Sequence, residues 1–255
     1  LFTPGYGAPR AFYTGLATGL ASRGYIVLAI DHPYEGAVAE LADGDIATTQ
    51  EALLGDDPGM TRFMPGHLNL RVADLSFVLD QLGRPDVLGP RLAGNFNLER
   101  IAAVGHSLGG AQQHRHGHRI KAAANIDGTL YGDIPGDKVQ RPFLLLDSDH
   151  VETGHSKDNI AKNSLLISHF GPGGYRYEIA RATHFGFTDA PLFFAPPGRF
   201  VLSLLFGGGR GPEETQRATI DILAAFLCEP LTGKRADIEA AAARYKGIAG
   251  GLVAQ

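Results

Sequence analysis

The sequence predicts an α/β fold: a mostly parallel, doubly wound sheet with helices on both faces. Three observations predict it. Short, mostly apolar runs recur at Tyr25–Ile30, Ile101–Val104, Ile120–Ile126 and Pro142–Leu146, as strands buried on both faces require, and Tyr175–Ala180 reads as a further strand. Segments with apolar residues at helical spacing alternate with them. Each run is followed by Asp, His or Ser, at the carboxyl end of a strand, where such sheets gather ligands and reactive groups. A length of 255 residues is enough for one sizeable core. The expectation is a single domain over 1–255, with no internal repeat and a loop insertion at about 35–66.

Taken in order, Leu1-Phe2-Thr3-Pro4 reads as the end of a strand, and Pro4-Gly5-Tyr6-Gly7 as a glycine turn. Ala11–Arg23 places Phe12, Leu16 and Leu20 on one helical face, and Gly24 stands where a helix ends. The strand Tyr25–Ile30 closes on Asp31-His32-Pro33. Residues 35–66 carry no strong pattern. Asp43-Gly44 has the chemistry of a small hairpin turn, and Asp56-Asp57-Pro58-Gly59 reads as a loop. A stretch this long is expected to lie over the carboxyl edge of the sheet. Leu68–Leu82 is an amphipathic helix with Leu68, Val72, Leu75, Leu79 and Leu82 on its apolar face, and Gly83–Gly94 a connection. Residues 156–168 are expected to be helical, Tyr175–Ala180 the last strand, Thr215–Leu227 a good amphipathic helix and Ala236–Tyr245 a weaker one.

Composition narrows the function. A formal net charge of −4 offers no basic footprint for nucleic acid. No apolar run reaches the length of a membrane span. Cys228 is the single cysteine, so an internal disulfide is impossible. The chain starts at Leu1 rather than Met and is expected to be a fragment, so the lack of a targeting segment carries no weight, and localisation and oligomeric state stay open.

The chemistry centres on Val104-Gly105-His106-Ser107-Leu108-Gly109-Gly110, between the strand Ile101–Val104 and a segment able to open a helix. Gly-x-Ser-x-Gly in that context is the nucleophile elbow of the α/β-hydrolase fold. The turn is tight, so Gly105 and Gly109 must be small and Ser107 sits strained at its tip. A serine hydroxyl needs a base to take its proton, and the base needs an acid to fix its tautomer. In this fold the order is Ser, acid, His, with the histidine in a loop after the last strand; His184 occupies that place. Asp127, Asp147 and Asp149 all follow strands, and spacing alone does not choose among them. The oxyanion donors are expected to be the backbone N–H groups of Leu108 and of Tyr6.

Pro4-Gly5-Tyr6-Gly7-Ala8-Pro9-Arg10, Leu20-Ala21-Ser22-Arg23-Gly24-Tyr25, Asp31-His32-Pro33, Gly105-His106-Ser107-Leu108-Gly109-Gly110 and Asn125-Ile126-Asp127-Gly128 resemble the platelet-activating factor acetylhydrolase-like branch of the α/β-hydrolases. Thr183-His184-Phe185-Gly186-Phe187-Thr188-Asp189 resembles its histidine segment. The likeness spans most of residues 1–190. Bacterial and fungal members include lipases and esterases. The resemblance implies an acid directly after the strand that follows the elbow helix, hence Asp127, with Ser107 as nucleophile, His184 as base, and Tyr6 and Leu108 as oxyanion donors. It also implies strands before Leu1. One stretch departs from it: Gln112–Arg119 is polar, where the family carries an apolar helix, and Gly117 is expected to end the helix there.

The expected activity is cofactor-free hydrolysis of a small-molecule, lipid or polymeric carboxylic ester through an acyl-enzyme. The same triad also serves a thioesterase, acyltransferase, peptidase or cutinase-like polyester hydrolase. A non-catalytic module has no need of Ser, Asp and His together. The lack of a strong lid helix points to short or medium acyl chains, or to an open cleft. His114, His116 and His118, and separately His150 and His155 near Asp147 and Asp149, have the residue types of a metal site, but a solvated polar cluster and a polar rim loop are the readings adopted. His32 is read as structural, Phe12 and Tyr13 as helix packing, and Phe193, Phe194 and Phe200–Phe206 as core, with the lining of an acyl pocket as the alternative.

Overall fold

The structure is a computed structural model. It describes residues 1–49, 60–84, 86, 87, 89, 95–111, 119–129, 141–171, 173–195, 197, 198, 201 and 209–253. His114, His116, His118, Gly117, Asp56–Gly59 and most of Phe200–Phe206 lie outside the described residues.

Among the described residues a six-stranded sheet runs in the order β1 (Phe2–Thr3), β4 (Ala102–His106), β5 (Ala122–Ile126), β6 (Phe143–Ser148), β7 (Gly174–Ile179), β8 (Ile248–Leu252). Pairings from β1 to β7 are parallel and β7–β8 is antiparallel. The small hairpin expected at Asp43-Gly44 is present as β2 (Ala39–Glu40) against β3 (Ile46–Ala47). The fold is therefore the mostly parallel α/β arrangement predicted.

Strand chemistry follows the pleat. In β4, β5 and β6 successive side chains enter cores on opposite faces. Ala102, Val104, Ala122, Ala124, Ile126, Leu144 and Leu146 pack on one face, under α1 (Thr14–Ala21) and α6 (Pro212–Thr232). Ala103, Ala123, Phe143 and Leu145 pack on the other, against Leu75 of α2 (Met60–Leu82) and Leu166 of α5 (Lys157–Ser168). The first helical segment opens with a 3₁₀ turn, Arg10–Tyr13, before α1. Ser156 caps α5 by accepting from Asn159 N–H, and a left-handed Gly233 ends α6. The weak C-terminal helix is α7 (Ile238–Ala243).

Three expectations need correction. Tyr25–Ile30 is not a continuous strand buried on both faces. It is an extended segment joined to β1 by one parallel bridge, Phe2 to Ala29, and Ile26 is 51% exposed. β1 has only two residues in the sheet, so the ladder it can offer is short. Tyr175–Ala180 is not the last strand; β8 pairs outside it. β8 reads Ile-Ala-Gly-Gly-Leu, and its glycines hide the strand pattern. The irregular stretch ends earlier than residue 66, because α2 starts at Met60 and carries Pro65 inside it. Proline removes only one hydrogen bond near the start of a long helix, and the packed face beyond it outweighs that.

Candidate active site

β4 ends in the elbow. Ser107 has φ +55°, a left-handed conformation rare for a side chain larger than glycine, as the turn requires. A Cβ on Gly105 would overlap the Gly109 carbonyl, and one on Gly109 would overlap the Thr3 carbonyl. Thr3 Oγ1 donates to Gly109 O at 3.0 Å, tying β1 to the turn. Ser107 N–H donates to Ile126 O, which holds the elbow on the end of β5. The helix it opens is described only over α3 (Leu108–Ala111).

Asp127 stands one residue beyond β5, also at positive φ (+52°). Asn125 braces the turn: its Oδ1 accepts from Gly128 N–H at 2.8 Å and its Nδ2 donates to Gly128 O at 3.0 Å. The Asp127 side chain is fully buried, and Oδ1 accepts from Ser148 N–H at 2.7 Å. Oδ2 meets Nδ1 of His184 at 2.6 Å. Burial alone would push this carboxyl up. The hydrogen bond and charge of His184, the nearby His155 and the Ser148 amide outweigh burial and hold it well below the usual carboxylate range.

His184 opens a 3₁₀ turn, His184–Phe187, after β7. Asp189 anchors that loop to α1 and α6. Its Oδ2 accepts from Gly15 N–H at 2.9 Å and its Oδ1 from Gln216 Nε2 at 2.8 Å. Ser107, Asp127 and His184 thus follow the carboxyl ends of β4, β5 and β7. Asp147 and Asp149 do not meet His184. Asp147 lies within β6, where Arg176 Nε donates to it at 2.8 Å; burial nonetheless pushes it up to about 6. Asp149 accepts from Val151 N–H and Arg181 N–H.

The side chains of Tyr6 and Leu108 join Met64 and Leu68 of α2 in a small apolar cluster. The loop carrying Tyr6 passes close to the nucleophile: a Cβ on Gly5 would stand 3.2 Å from Ser107 Cβ.

Several contributors escaped sequence reasoning. Tyr13, read as packing, is a polar connector. Its hydroxyl accepts from Gly5 N–H at 3.0 Å and meets His106 Nδ1 at 2.8 Å. The other nitrogen of His106 lies 3.0 Å from His184 O. A carbonyl only accepts, so Nε2 carries the proton and Tyr13 O–H donates to Nδ1. Burial and the neighbouring His184 push His106 down, consistent with a neutral ring. One chain of hydrogen bonds therefore runs from the Gly5 loop through the elbow to the His184 backbone. Its signal was His106 itself, inside the elbow motif.

Arg71 is the second such residue. It is 1% exposed on the inner face of α2, in the stripe Met64, Leu68, Arg71, Leu75, Leu79, Leu82. The periodicity assigned the apolar face to Val72, which is only half-buried. A charge at the spacing of the buried stripe was the available signal. His155 Nε2 lies 3.7 Å from Asp127 Oδ1, and His150 and His155 pair through Nδ1 at 2.8 Å, so both stand behind the candidate acid. His32 is buried on Asp74. Phe193 and Phe194, expected in the core, are 62% and 49% exposed, because the 3₁₀ turn Ala190–Phe193 turns them outward.

His106, Asp127 and His184 bring ligand-type atoms within 4.8 Å of one another. The geometry suits proton handling better than a metal. Both nitrogens of His106 are engaged, and Asp127 is bonded to His184 itself. No helix among the described residues is long and apolar enough to cross a membrane.

The comparisons agree with this geometry. Residues 1–52 match the family described as platelet-activating factor acetylhydrolase, isoform II. A probable 1-alkyl-2-acetylglycerophosphocholine esterase of Arthroderma benhamiae is 33% identical over 234 residues, covering 88% of this chain and 53% of the relative. The platelet-activating factor acetylhydrolase of Cavia porcellus is 24% identical over 188 residues, covering 64% and 42%. The chain thus spans about half the length of the curated relatives it matches. A ferulic acid esterase from Streptomyces cinnamoneus superposes with a TM-score of 0.80 at 27% identity, covering 98% of this chain and 72% of the other. The chain has the α/β-hydrolase fold, and its sequence is similar to the platelet-activating factor acetylhydrolase-like branch of that superfamily.

Proposed function

We propose that this chain is a serine hydrolase of carboxylic esters, working through an acyl-enzyme, with residues 1–255 forming one catalytic domain. The observation that carries the reading is the 2.6 Å bond between buried Asp127 and His184 Nδ1, on the sheet edge that presents Ser107. In this reading His184 Nε2 takes the Ser107 proton as Oγ attacks the ester carbonyl. Asp127 fixes the tautomer that leaves Nε2 able to accept, and its negative charge stabilises the imidazolium. The N–H groups of Leu108 and Tyr6 receive the developing oxyanion, each worth about 3 kcal/mol in comparable sites. His184 returns the proton to the leaving alcohol. Water then enters, and the same groups run in reverse.

The substrate class is a small-molecule or lipid ester, in keeping with a relative whose name specifies an acetylglycerophosphocholine ester. The neighbour named a ferulic acid esterase supports an ester bond of wider acyl type. Hydrolysis of p-nitrophenyl esters from acetate to palmitate tests the reading. The parent is expected to turn over the shorter members and to react with a fluorophosphonate probe, and Ser107→Ala to do neither. Hydrolysis unchanged in Ser107→Ala would sink the proposal.

A further inference from the structure

The buried guanidinium of Arg71 has no part in the mechanism above, yet its donors converge on the backbone of the loop that carries Tyr6. Nη1 donates to Pro4 O, and Nη2 donates to Gly5 O at 3.1 Å. Nε donates to both oxygens of Glu35 at 3.0 Å, and Nη2 also contacts Glu35 Oε1. Glu35 is itself 8% exposed and is approached by His67 Nδ1 at 3.3 Å. The His67 ring lies edge-on to the Tyr6 ring, centroids 5.2 Å apart. A charge this buried, with so many donors on one short loop, holds the loop in one place.

The peptide that links Gly5 to Tyr6 gives that placement a chemical consequence. In a trans peptide the carbonyl and the N–H lie in one plane and point in opposite directions. Arg71 grips the Gly5 carbonyl from the α2 side. The Tyr6 N–H of the same peptide is thereby aimed the other way. The adjoining Gly5 N–H is fixed by the Tyr13 hydroxyl, and the Gly5 carbonyl also accepts from Ala8 N–H at 3.2 Å. A cationic donor on the carbonyl oxygen also polarises the peptide and strengthens its N–H as a donor.

We infer that Arg71, held by Glu35, is the positioning residue of the oxyanion hole: it sets the direction and donor strength of the Tyr6 N–H. This rests on the esterase reading and names no new substrate. The interaction matters only when negative charge sits on the substrate oxygen, so its loss must appear in kcat and leave KM nearly alone.

The test compares parent, Arg71→Lys, the paired variant Arg71→Met with Glu35→Gln, and Glu35→Gln alone. The pairing avoids leaving a buried carboxylate without its cation. Each is assayed with p-nitrophenyl acetate and with an alkyl trifluoromethyl ketone. In the ketone adduct, Ser107 Oγ bonds to the carbonyl carbon, the C=O electron pair moves to oxygen as the oxyanion, and the hydroxyl proton passes to His184. Circular dichroism confirms folding at the assay temperature. The paired variant is expected to lose about 10- to 100-fold in kcat, with KM within about twofold, and to bind the ketone weaker by the same factor. Arg71→Lys keeps the charge but not the fork of donors, and falls between it and the parent. A folded Arg71 variant whose kcat and ketone affinity both match the parent overturns the inference and leaves the esterase reading standing. If neither Arg71 variant folds, Glu35→Gln decides: it keeps the volume while loosening the guanidinium, and an unchanged kcat overturns the inference. A parent with no ester hydrolysis overturns both.

Discussion

Asp127 closes β5 and Asp147 sits near the end of the adjacent strand β6. Both side chains are wholly buried, and both follow an apolar run in the sequence. Their surroundings differ. Asp127 sits at a left-handed turn that lifts its carboxylate beyond the strand, where Ser148 N–H and His184 reach it. Asp147 keeps strand geometry, its register partner on β7 is Glu178, and its cation is Arg176. The first is held ionised and the second is pushed towards its neutral form, up to about 6. Desolvation raises both; His184, His155 and the Ser148 amide bring Asp127 down, whereas the charge of Asp127 adds to the rise at Asp147 and Arg176 offsets it only in part. What suits a carboxylate to orient a histidine is thus the turn that carries it, and the residue type alone says nothing.

The largest effect expected from this contrast is on activity. Asp127→Asn keeps the shape but offers His184 Nδ1 an amide, which in half of its orientations donates rather than accepts. In the proposed mechanism this favours the wrong tautomer and removes the stabilising charge. A fall of about 10³- to 10⁴-fold in kcat is expected, by analogy with a well-studied triad, with KM little changed. Steady-state hydrolysis of p-nitrophenyl acetate measures it. Asp147→Asn assayed alongside is expected to leave kcat close to the parent. The reverse pattern would transfer the acid role to Asp147.

Part of this contrast was legible beforehand. The elbow announces itself because sterics force Gly105 and Gly109, and the strand-to-loop positions of Asp127 and His184 follow from the alternating pattern. What periodicity does not encode is which carboxylate turns towards which loop. A positive φ at Asp127, imposed by the Asn125 brace, is invisible in composition. The sheet was readable where strands are buried on both faces, as in β4 to β6. It failed at the margins, where Tyr25–Ile30 is half-exposed and β8 is rich in glycine. The polar scaffolding was the least legible part. Tyr13 and Arg71 occupy positions of apolar periodicity, so a pattern that counts apolar residues passes over them.

The second contrast is in pH-dependent stability, and the signs oppose. A carboxyl depressed in the folded state contributes stability above its unfolded pKa and loses it as pH falls through the folded value; this is Asp127. A carboxyl raised in the folded state binds protons more tightly in the native protein. Between about pH 4 and 6 the native state then holds more protons than the unfolded state, so stability from Asp147 falls as pH rises through that window and stays low above it. A shift of this size corresponds to roughly 2–3 kcal/mol at most. Asp147→Asn is expected to remove that slope, so the difference in Tm between variant and parent grows from pH 4 to 6 and then levels off. Thermal melts at half-unit pH steps give the curve. A constant difference across the range would show that Arg176 already keeps Asp147 ionised throughout.

The smallest effect belongs to the third aspartate of the sequence candidates. Asp149 is half-buried just past β6, where its Oδ1 accepts from Val151 N–H at the start of α4 (His150–Thr153) and its Oδ2 from Arg181 N–H. Arg181 is itself at φ +63°. Asp149 therefore acts as a helix cap and a clasp between two loops that flank the site. Asp149→Ala removes both acceptors and is expected to cost about 1–2 kcal/mol by urea denaturation, with kcat of the folded enzyme unchanged. The two readouts move independently only if Asp149 is structural. A folded Asp149→Ala that loses kcat as steeply as Asp127→Asn would mean that the clasp, through Arg181 and the loop leading to His184, sets the position of the base as firmly as the carboxylate bonded to it.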